Sequence, residues 1–238
     1  GSYAIVGAYQ EEDDLNGQNE LSEAGSAYIY ERDVTGNWIE VQKIIASDRE
    51  SGDIFGYSVS ISGNYAIVGA PFESPDPSGI PLPQAGSAYL FERNQSGNWV
   101  EVQKLTSQNR ESGEAFGYSV KVEGDRAVIG ADGSDFDAGN GIIRYGAGAA
   151  YVFERSILGL WEQKAKLQSP LINALSNLGS SVSLSGNTII AGAPLDDGDE
   201  NGLNSINGAG AAIIFKQNTM NQWVETGKLV AADRQTGS

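Results

Sequence analysis

The chain contains no cysteine and no histidine among its 238 residues. Without Cys there is neither a disulfide framework nor a thiolate metal site. Without His, the usual Ser-His-Asp and Cys-His triads and the usual zinc ligands are excluded. Basic residues are scarce: 15 Lys and Arg stand against 31 Asp and Glu, a formal charge of −16. Phosphate binding needs clustered Lys and Arg, so nucleic acid is not expected as a partner. No apolar run reaches the length of a membrane span, so direct membrane insertion is not expected either. Methionine occurs once, whereas glycine occurs 31 times. That balance suits many tight turns rather than long helices.

What the chain does have is internal repetition. Trp38, Trp99, Trp161 and Trp223 recur every 61 or 62 residues, as do Gly7, Gly69, Gly130 and Gly192, each followed by Ala. Around the glycines lie YAIVGAY, YAIVGAP, RAVIGAD and TIIAGAP. AGSAYIYER, AGSAYLFER, AGAAYVFER and AGAAIIFKQ follow, and then the Trp segments NWIEVQKI, NWVEVQKL, LWEQKAKL and QWVETGKL. IFGYSVSIS, AFGYSVKVE and the weaker NLGSSVSLS complete the pattern. The repeats are framed at about 1–52, 53–114, 115–175 and 176–238 within a single array.

Each unit reads as four short strands. From Phe55 to Ser62, bulky Phe55, Tyr57, Val59 and Ile61 alternate with Gly56, Ser58, Ser60 and Ser62, the period of a strand with one bulky and one small face. Ser62-Gly63-Asn64 is a turn. Tyr65 to Ala70 is apolar on both faces, as a strand between neighbouring sheets must be. Ala85 to Glu92 forms the third strand. Gln95-Ser96-Gly97-Asn98 turns into the fourth, Trp99 to Leu105, where Glu101, Gln103 and Lys104 suit an outer edge. Four-stranded sheets repeated radially make a propeller, whereas the coils of a β-solenoid are shorter. The expected fold is all-β: a β-propeller of four-stranded antiparallel blades, four repeats of a larger, about seven-bladed ring. Phe55, Val59, Ile67, Val68, Ala88, Tyr89 and Phe91 are the expected core. The recurrent Trp residues are expected to be packing anchors. The first unit lacks its initial strand and the last stops before the next one, so this array is not expected to close by itself.

Phe55-Gly56 and Phe116-Gly117, alternating with Gly69-Ala70-Pro71 and Gly192-Ala193-Pro194, resemble the FG-GAP repeat family, which includes integrin α-subunit propellers and bacterial surface proteins. Leu178-Gly179 stands in place of Phe-Gly, and Gly130-Ala131-Asp132 in place of Gly-Ala-Pro. The resemblance implies a propeller that is not an enzyme, a role in binding or adhesion, and an extracellular or cell-surface location. The partners it implies are a protein or glycan ligand on a cell surface and further blades of the same protein. The alternatives are a carbohydrate-binding, lectin-like propeller or a non-catalytic domain of a larger secreted enzyme.

The acidic loops between the second and third strands carry the most specific chemistry. Glu12-x-Asp14-x-Asn16-Gly17 and Asp197-x-Asp199-x-Asn201-Gly202 align in register, and Asp135 and Asp137 occupy the equivalent places in the third unit. The second unit has only Asp76 there. D-x-D-x-[DN]-G is the opening of a calcium loop, in which alternate side chains and a main-chain carbonyl converge on a hard cation. The expected Ca2+ ligands are Glu12, Asp14, Asn16, Glu20 and the Gln18 carbonyl. Asp197, Asp199, Asn201 and the Leu203 carbonyl form the second set, and Asp135 and Asp137 a third. Integrin blades carry their calcium loop between the FG and GAP strands, where this chain has only Ser62-Gly63-Asn64, so that site is not carried over. No cofactor site other than this is expected, and the Asp13–Asp14 pair lacks the environment of a catalytic acid and base.

Overall fold

A computed structural model describes residues 2–74, 82–137 and 142–236. Asp76, Gly139, Asn140 and most of the Pro71–Pro83 excursion lie outside them. Among the described residues there is no helix. The first sheet has three strands, β1 (Tyr3–Ala8), β2 (Ser26–Arg32) and β3 (Trp38–Ile44). The second has four: β4 (Ser58–Ser62), β5 (Tyr65–Ala70), β6 (Ser87–Arg93) and β7 (Trp99–Leu105). The third contains β8 (Phe116–Glu123) and β9 (Arg126–Ala131). A small ribbon follows, β10 (Phe136–Asp137) with β11 (Ile143–Arg144), before the sheet resumes with β12 (Ala149–Arg155) and β13 (Trp161–Leu167). The fourth is β14 (Ser181–Ser185), β15 (Thr188–Ala193), β16 (Ala211–Gln217) and β17 (Trp223–Leu229). Every pairing within these sheets is antiparallel and joins strands consecutive in the meander, the form of a propeller blade.

The apolar residues gather in three layers, one between each pair of successive blades. Ile29, Phe55, Val68, Tyr89 and Trp99 fill the first. Ile67, Leu90, Phe116, Ile129, Tyr151 and Trp161 fill the second. Val128, Val152, Leu178, Ile189 and Phe215 fill the third. Ile67 and Val68 are adjacent in β5 yet belong to different layers, which is why the strand must be apolar on both faces. Of the expected core, Phe55, Ile67, Val68, Ala88, Tyr89 and Phe91 are buried, and Val59 is half-buried.

Glycine sets the distance between blades. A Cβ on Gly7 would lie 1.8 Å from the Gly56 carbonyl oxygen, on Gly69 2.0 Å from that of Gly117, and on Gly130 1.9 Å from that of Gly179. The GAP glycine of each of the first three blades therefore touches the FG glycine of the next, main chain against main chain. Side chains complete the seam. Ser58 and Ser119 each donate to the next blade's FG-glycine carbonyl, at 2.7 Å. Gln42 and Gln103 each clamp both main-chain polar groups of the following Trp, at 2.7–2.9 Å. Trp99 and Trp161 are buried packing anchors and Trp223 is half-buried, but Trp38 is 47% exposed, so the expectation does not hold for it.

One expectation is corrected. The strand from Phe55 to Ser62 is not continuous: Gly56 adopts φ 93° and β4 begins only at Ser58. The left-handed glycine breaks the alternation, so Tyr57 does not share the face of Phe55. Phe55 packs edge-on against Tyr89 and Phe91, while Tyr57 turns out to the end of the blade.

Candidate functional site

The GAP strands end, and the FG strands begin, at one end of the blades, and the acidic loops stand there. The Asp14 carboxylate closes its own loop. One oxygen accepts the amides of Asn16 and Gln18, at 2.7 and 3.0 Å, and the other the Asn19 side-chain amide. Asp199 repeats this with the amides of Asn201 and Leu203, both at 2.9 Å, and the Asn204 side chain. The carbonyls of Gln18 and Leu203 accept the amides of Asp14 and Asp199. These hydrogen bonds hold both carboxyls below the ordinary range, led by Asn19 for Asp14 and by the Leu203 amide for Asp199. The same closure recurs in the β2–β3 hairpin, where Asp33 takes the amides of Thr35 and Asn37. Asp-x-Asn-Gly here is the signature of an Asx-closed turn.

The other expected ligands are dispersed. Glu12, Asn16, Glu20 and Asn201 are exposed. Asp197 and Asp135 each accept a glycine amide, from Gly208 at 2.7 Å and Gly146 at 2.8 Å. Asp137 lies exposed in β10. Among the described residues no three Asp or Glu side chains gather in a way that holds a metal ion. In this arrangement the carboxylates of Asp14 and Asp199 and the carbonyls of Gln18 and Leu203 are turned onto their own loops' amides.

A second pattern runs through these loops. Glu11, Glu73 and Asp196 each stand four residues after a GAP glycine, and Lys43, Lys104 and Lys228 each five after a repeat Trp. They pair within each blade at 2.6, 2.9 and 2.5 Å. In the third blade Ser134 replaces the carboxylate, and Lys166 reaches the Asp135 carbonyl instead. The connectors Asp48-Arg49 and Asp233-Arg234 divide their work. Arg49 and Arg234 grip carbonyls of their own repeat's acidic loop, those of Glu12 and Asn19 and of Asp197 and Asn204. Asp48 instead bridges to Tyr89 and Lys104 of the next blade, at 2.8 and 2.6 Å. Arg110 donates to Glu73 and to the Gly86 carbonyl.

Behind the loops lie buried carboxyls. Burial, helped by the charges of Glu73, Glu50 and Asp48, pushes Asp53 up to about 7, against the Glu50 amide that hydrogen-bonds it. Burial also raises Glu114, which accepts from Ser107 and Tyr151. Asp53 holds its proton more tightly when folded, so its contribution is fully present below the unfolded carboxyl value of about 3.9 and is lost as pH rises through about 7. Asp53→Asn is expected to stabilise the protein by about 2 kcal/mol at pH 8 and to change little at pH 4. Urea melts at the two pH values check this; an equal effect at both contradicts it.

The surface of this end is aromatic as well as acidic. Tyr9, Tyr57 and Tyr118 come from three successive blades and form one row. Their ring centroids are 5.7 and 5.0 Å apart. Tyr9 is 42% and Tyr57 37% exposed. Hydrogen bonding to Tyr118, then burial, pushes the Tyr57 phenol up to about 12, and the nearby Asp132 adds to this. Asp132 continues the row toward Asn177 and Ser180, at 3.4 and 3.5 Å. Strict alternation puts Tyr57 on the face of Phe55, so the sequence does not display this row; the positive φ of Gly56 creates it.

A family model described as the FG-GAP repeat matches residues 38–91, 99–153 and 161–215. Each match runs from the outer strand of one blade through the first three strands of the next, so the sequence unit straddles a seam. Among curated proteins none matches the chain. The structure of the periplasmic gluconolactonase PpgL of Pseudomonas aeruginosa is similar, with a TM-score of 0.54 at 14% identity. The alignment covers 98% of this chain and 55% of that one, so the chain spans about half its length. At this identity the likeness shows the fold alone.

Proposed function

The chain belongs to the FG-GAP repeat family, and on that premise we propose that it is a non-catalytic interaction or adhesion module of the cell surface or extracellular space, built as part of a larger, about seven-bladed propeller. The observation that carries this is the tyrosine row. Partly exposed aromatics with polar tips, set on rigid sheets and rimmed by closed loops, supply contact area at low entropic cost. Catalysis fits less well, because the buried carboxyls Glu73, Glu114 and Asp196 are engaged in ion pairs or hydrogen bonds that brace the blades. The gluconolactonase likeness offers a direct control: lactone hydrolysis by this chain is expected to stay at the uncatalysed rate.

The partner is a protein surface; the row's mixture of rings and hydroxyls also favours a second reading, a glycan. Immobilised chain should be offered matrix proteins and a glycan array beside the triple variant Tyr9→Ser, Tyr57→Ser, Tyr118→Ser. The variant is expected to lose at least about tenfold in affinity, the scale of one hot-spot residue or more. Retention of full binding by a variant with an unchanged circular dichroism spectrum sinks the assignment. No helix among the described residues is long and apolar enough to cross a membrane.

Closure of the loops by hydrogen bonds is proposed to replace closure by calcium. Millimolar calcium is then expected to leave the melting temperature unmoved. Asp199→Ala should lower it equally with calcium and with chelator. A calcium-dependent rise that Asp199→Ala abolishes restores the cation.

A further inference from the structure

Three residues before each FG pair the connector turns through a left-handed residue. Gly52 and Gly113 supply it, with φ 84° and 78°, and their amides donate to the carbonyls of Ser22 and Pro83 at 2.9 and 2.8 Å. In the third connector the same bond, to the Tyr145 carbonyl at 2.8 Å, is made by Leu175 with φ 59°. A Cβ crowds the main chain in this region, so leucine is disfavoured where glycine is not. Burial gives nothing back. A Cβ on Gly52 or Gly113 would meet nothing within 4 Å, and the Leu175 side chain is 66% exposed. It lies over Gly146, where a Cβ would come 3.1 Å from its Cδ2. An outlier kept without a packing reason points to a role outside the fold.

Leu175 has apolar neighbours. Tyr145, joined to it by that bond, is 63% exposed, and Leu195, whose amide donates to the Ser176 carbonyl at 3.4 Å, is 54% exposed. Ile143 is exposed two residues before Tyr145. Arg144 between them turns the other way, to the Pro170 and Ile172 carbonyls at 2.8 and 2.6 Å. The four side chains stand at the seam between the third and fourth blades, and both blades are present there. Asn177, which Asp132 meets at the end of the tyrosine row, is two residues from Leu175, so the apolar step continues the row.

The surroundings select the occupant. Asp137, exposed, stands opposite Ile143 in the ribbon, and exposed Glu200 belongs to the loop whose Gly202 lies against Leu171. The cations of the seam are turned inward, Arg144 to its two carbonyls and Lys228 to Asp196 and the Leu171 carbonyl. An apolar centre with an acidic rim complements an apolar centre with a basic rim. A second copy would bring a further charge of −16 to the same place, and an anionic membrane would be repelled in the same way.

We propose that Leu175, with Ile143, Tyr145 and Leu195, is the anchor point for a protein partner whose own apolar side chain is flanked by Lys or Arg. This rests on the reading of this end as a protein-binding face and adds the class of partner.

The probe is a fluorescent peptide, Lys-Leu-Lys-Phe-Lys-Leu-Lys, added to the intact chain. Saturable binding is expected, with slowed amide exchange at residues 143–146, 175–177 and 195. Companion peptides with Glu for every Lys, or Ser for every apolar residue, are expected to bind at least about tenfold more weakly. Leu175→Gly restores the residue of the other repeats, so the melting temperature should hold or rise while binding falls at least about fivefold. Tyr145→Ser, which removes an exposed side chain, should reproduce the loss. No binding, equal binding by the Ser peptide, or binding indifferent to Leu175→Gly overturns the anchor. Protection confined to Tyr57 and Tyr118 overturns it too, and leaves the tyrosine row standing. Loss on Leu175→Gly with full binding by the tyrosine triple variant supports the anchor and removes the row. Capture of neutral phosphatidylcholine vesicles, or a dimer, that Leu175→Gly abolishes also overturns the proposal, since the step then serves a lipid or a second copy.

Discussion

Gly130→Ala is expected to destabilise the protein by about 3–5 kcal/mol, while Gly192→Ala costs less than about 1 kcal/mol. The two glycines occupy the same place in successive blades. An added Cβ meets the same intrablade neighbour at each, Ser119 Oγ at 2.4 Å or Ser181 Oγ at 2.5 Å, and a serine hydroxyl can rotate away. Neither glycine has a positive φ, so the backbone accepts alanine. The difference is the next blade: at Gly130 the Gly179 carbonyl oxygen lies 1.9 Å from the new methyl, and no main-chain atom of a further blade stands before Gly192. A carbonyl fixed in a sheet cannot rotate away, so the blades must part and the layer holding Val128, Leu178 and Ile189 loosens. In thermal melts this corresponds to a fall of roughly 10 °C for Gly130→Ala. Equal shifts for the two variants would show that the glycine contact does not set the blade spacing.

Lys228→Met is the other large effect, a loss of about 3–5 kcal/mol. Lys228 and Asp196 lie 2.5 Å apart with both side chains wholly buried, and Lys228 also donates to the Leu171 carbonyl at 3.0 Å. Asp196 accepts in addition from Ser176, at 3.1 Å. Removing the ammonium leaves a carboxylate in a site that water does not reach, and the cost lies in that orphaned charge more than in the lost attraction. Asp196→Asn in the Lys228→Met background should therefore recover at least half the loss, because the amide keeps an acceptor for Ser176 without the charge. Lys43→Met, at the equivalent pair with Glu11 that solvent still reaches in part, should cost less, about 1–2 kcal/mol. If the double variant is no more stable than Lys228→Met, the buried charge is not the cause.

Period and alternation determined the array. A Trp and a Gly-Ala step every 61 or 62 residues, with strand-length apolar segments at fixed offsets, leave only a repeated four-stranded unit. The two-sided apolar strands Tyr65–Ala70 and Arg126–Ala131 already required a sheet on each side. Nearest-neighbour chemistry of this kind is local, and local patterns survive in a sequence. Three features were decided only by the tertiary structure. The direction of Tyr57 depends on the positive φ of Gly56, which a strict period of two cannot express. The use of Asp14 and Asp199 depends on where their oxygens point. A carboxylate two residues from an asparagine and three from a glycine can accept its own loop's amides, and the fold brings those amides to it here. The ion pairs of Glu11, Glu73 and Asp196 join residues about 32 positions apart, and folding alone brings their charges together. A repeat specifies which groups recur; the packed blades decide which of them meet.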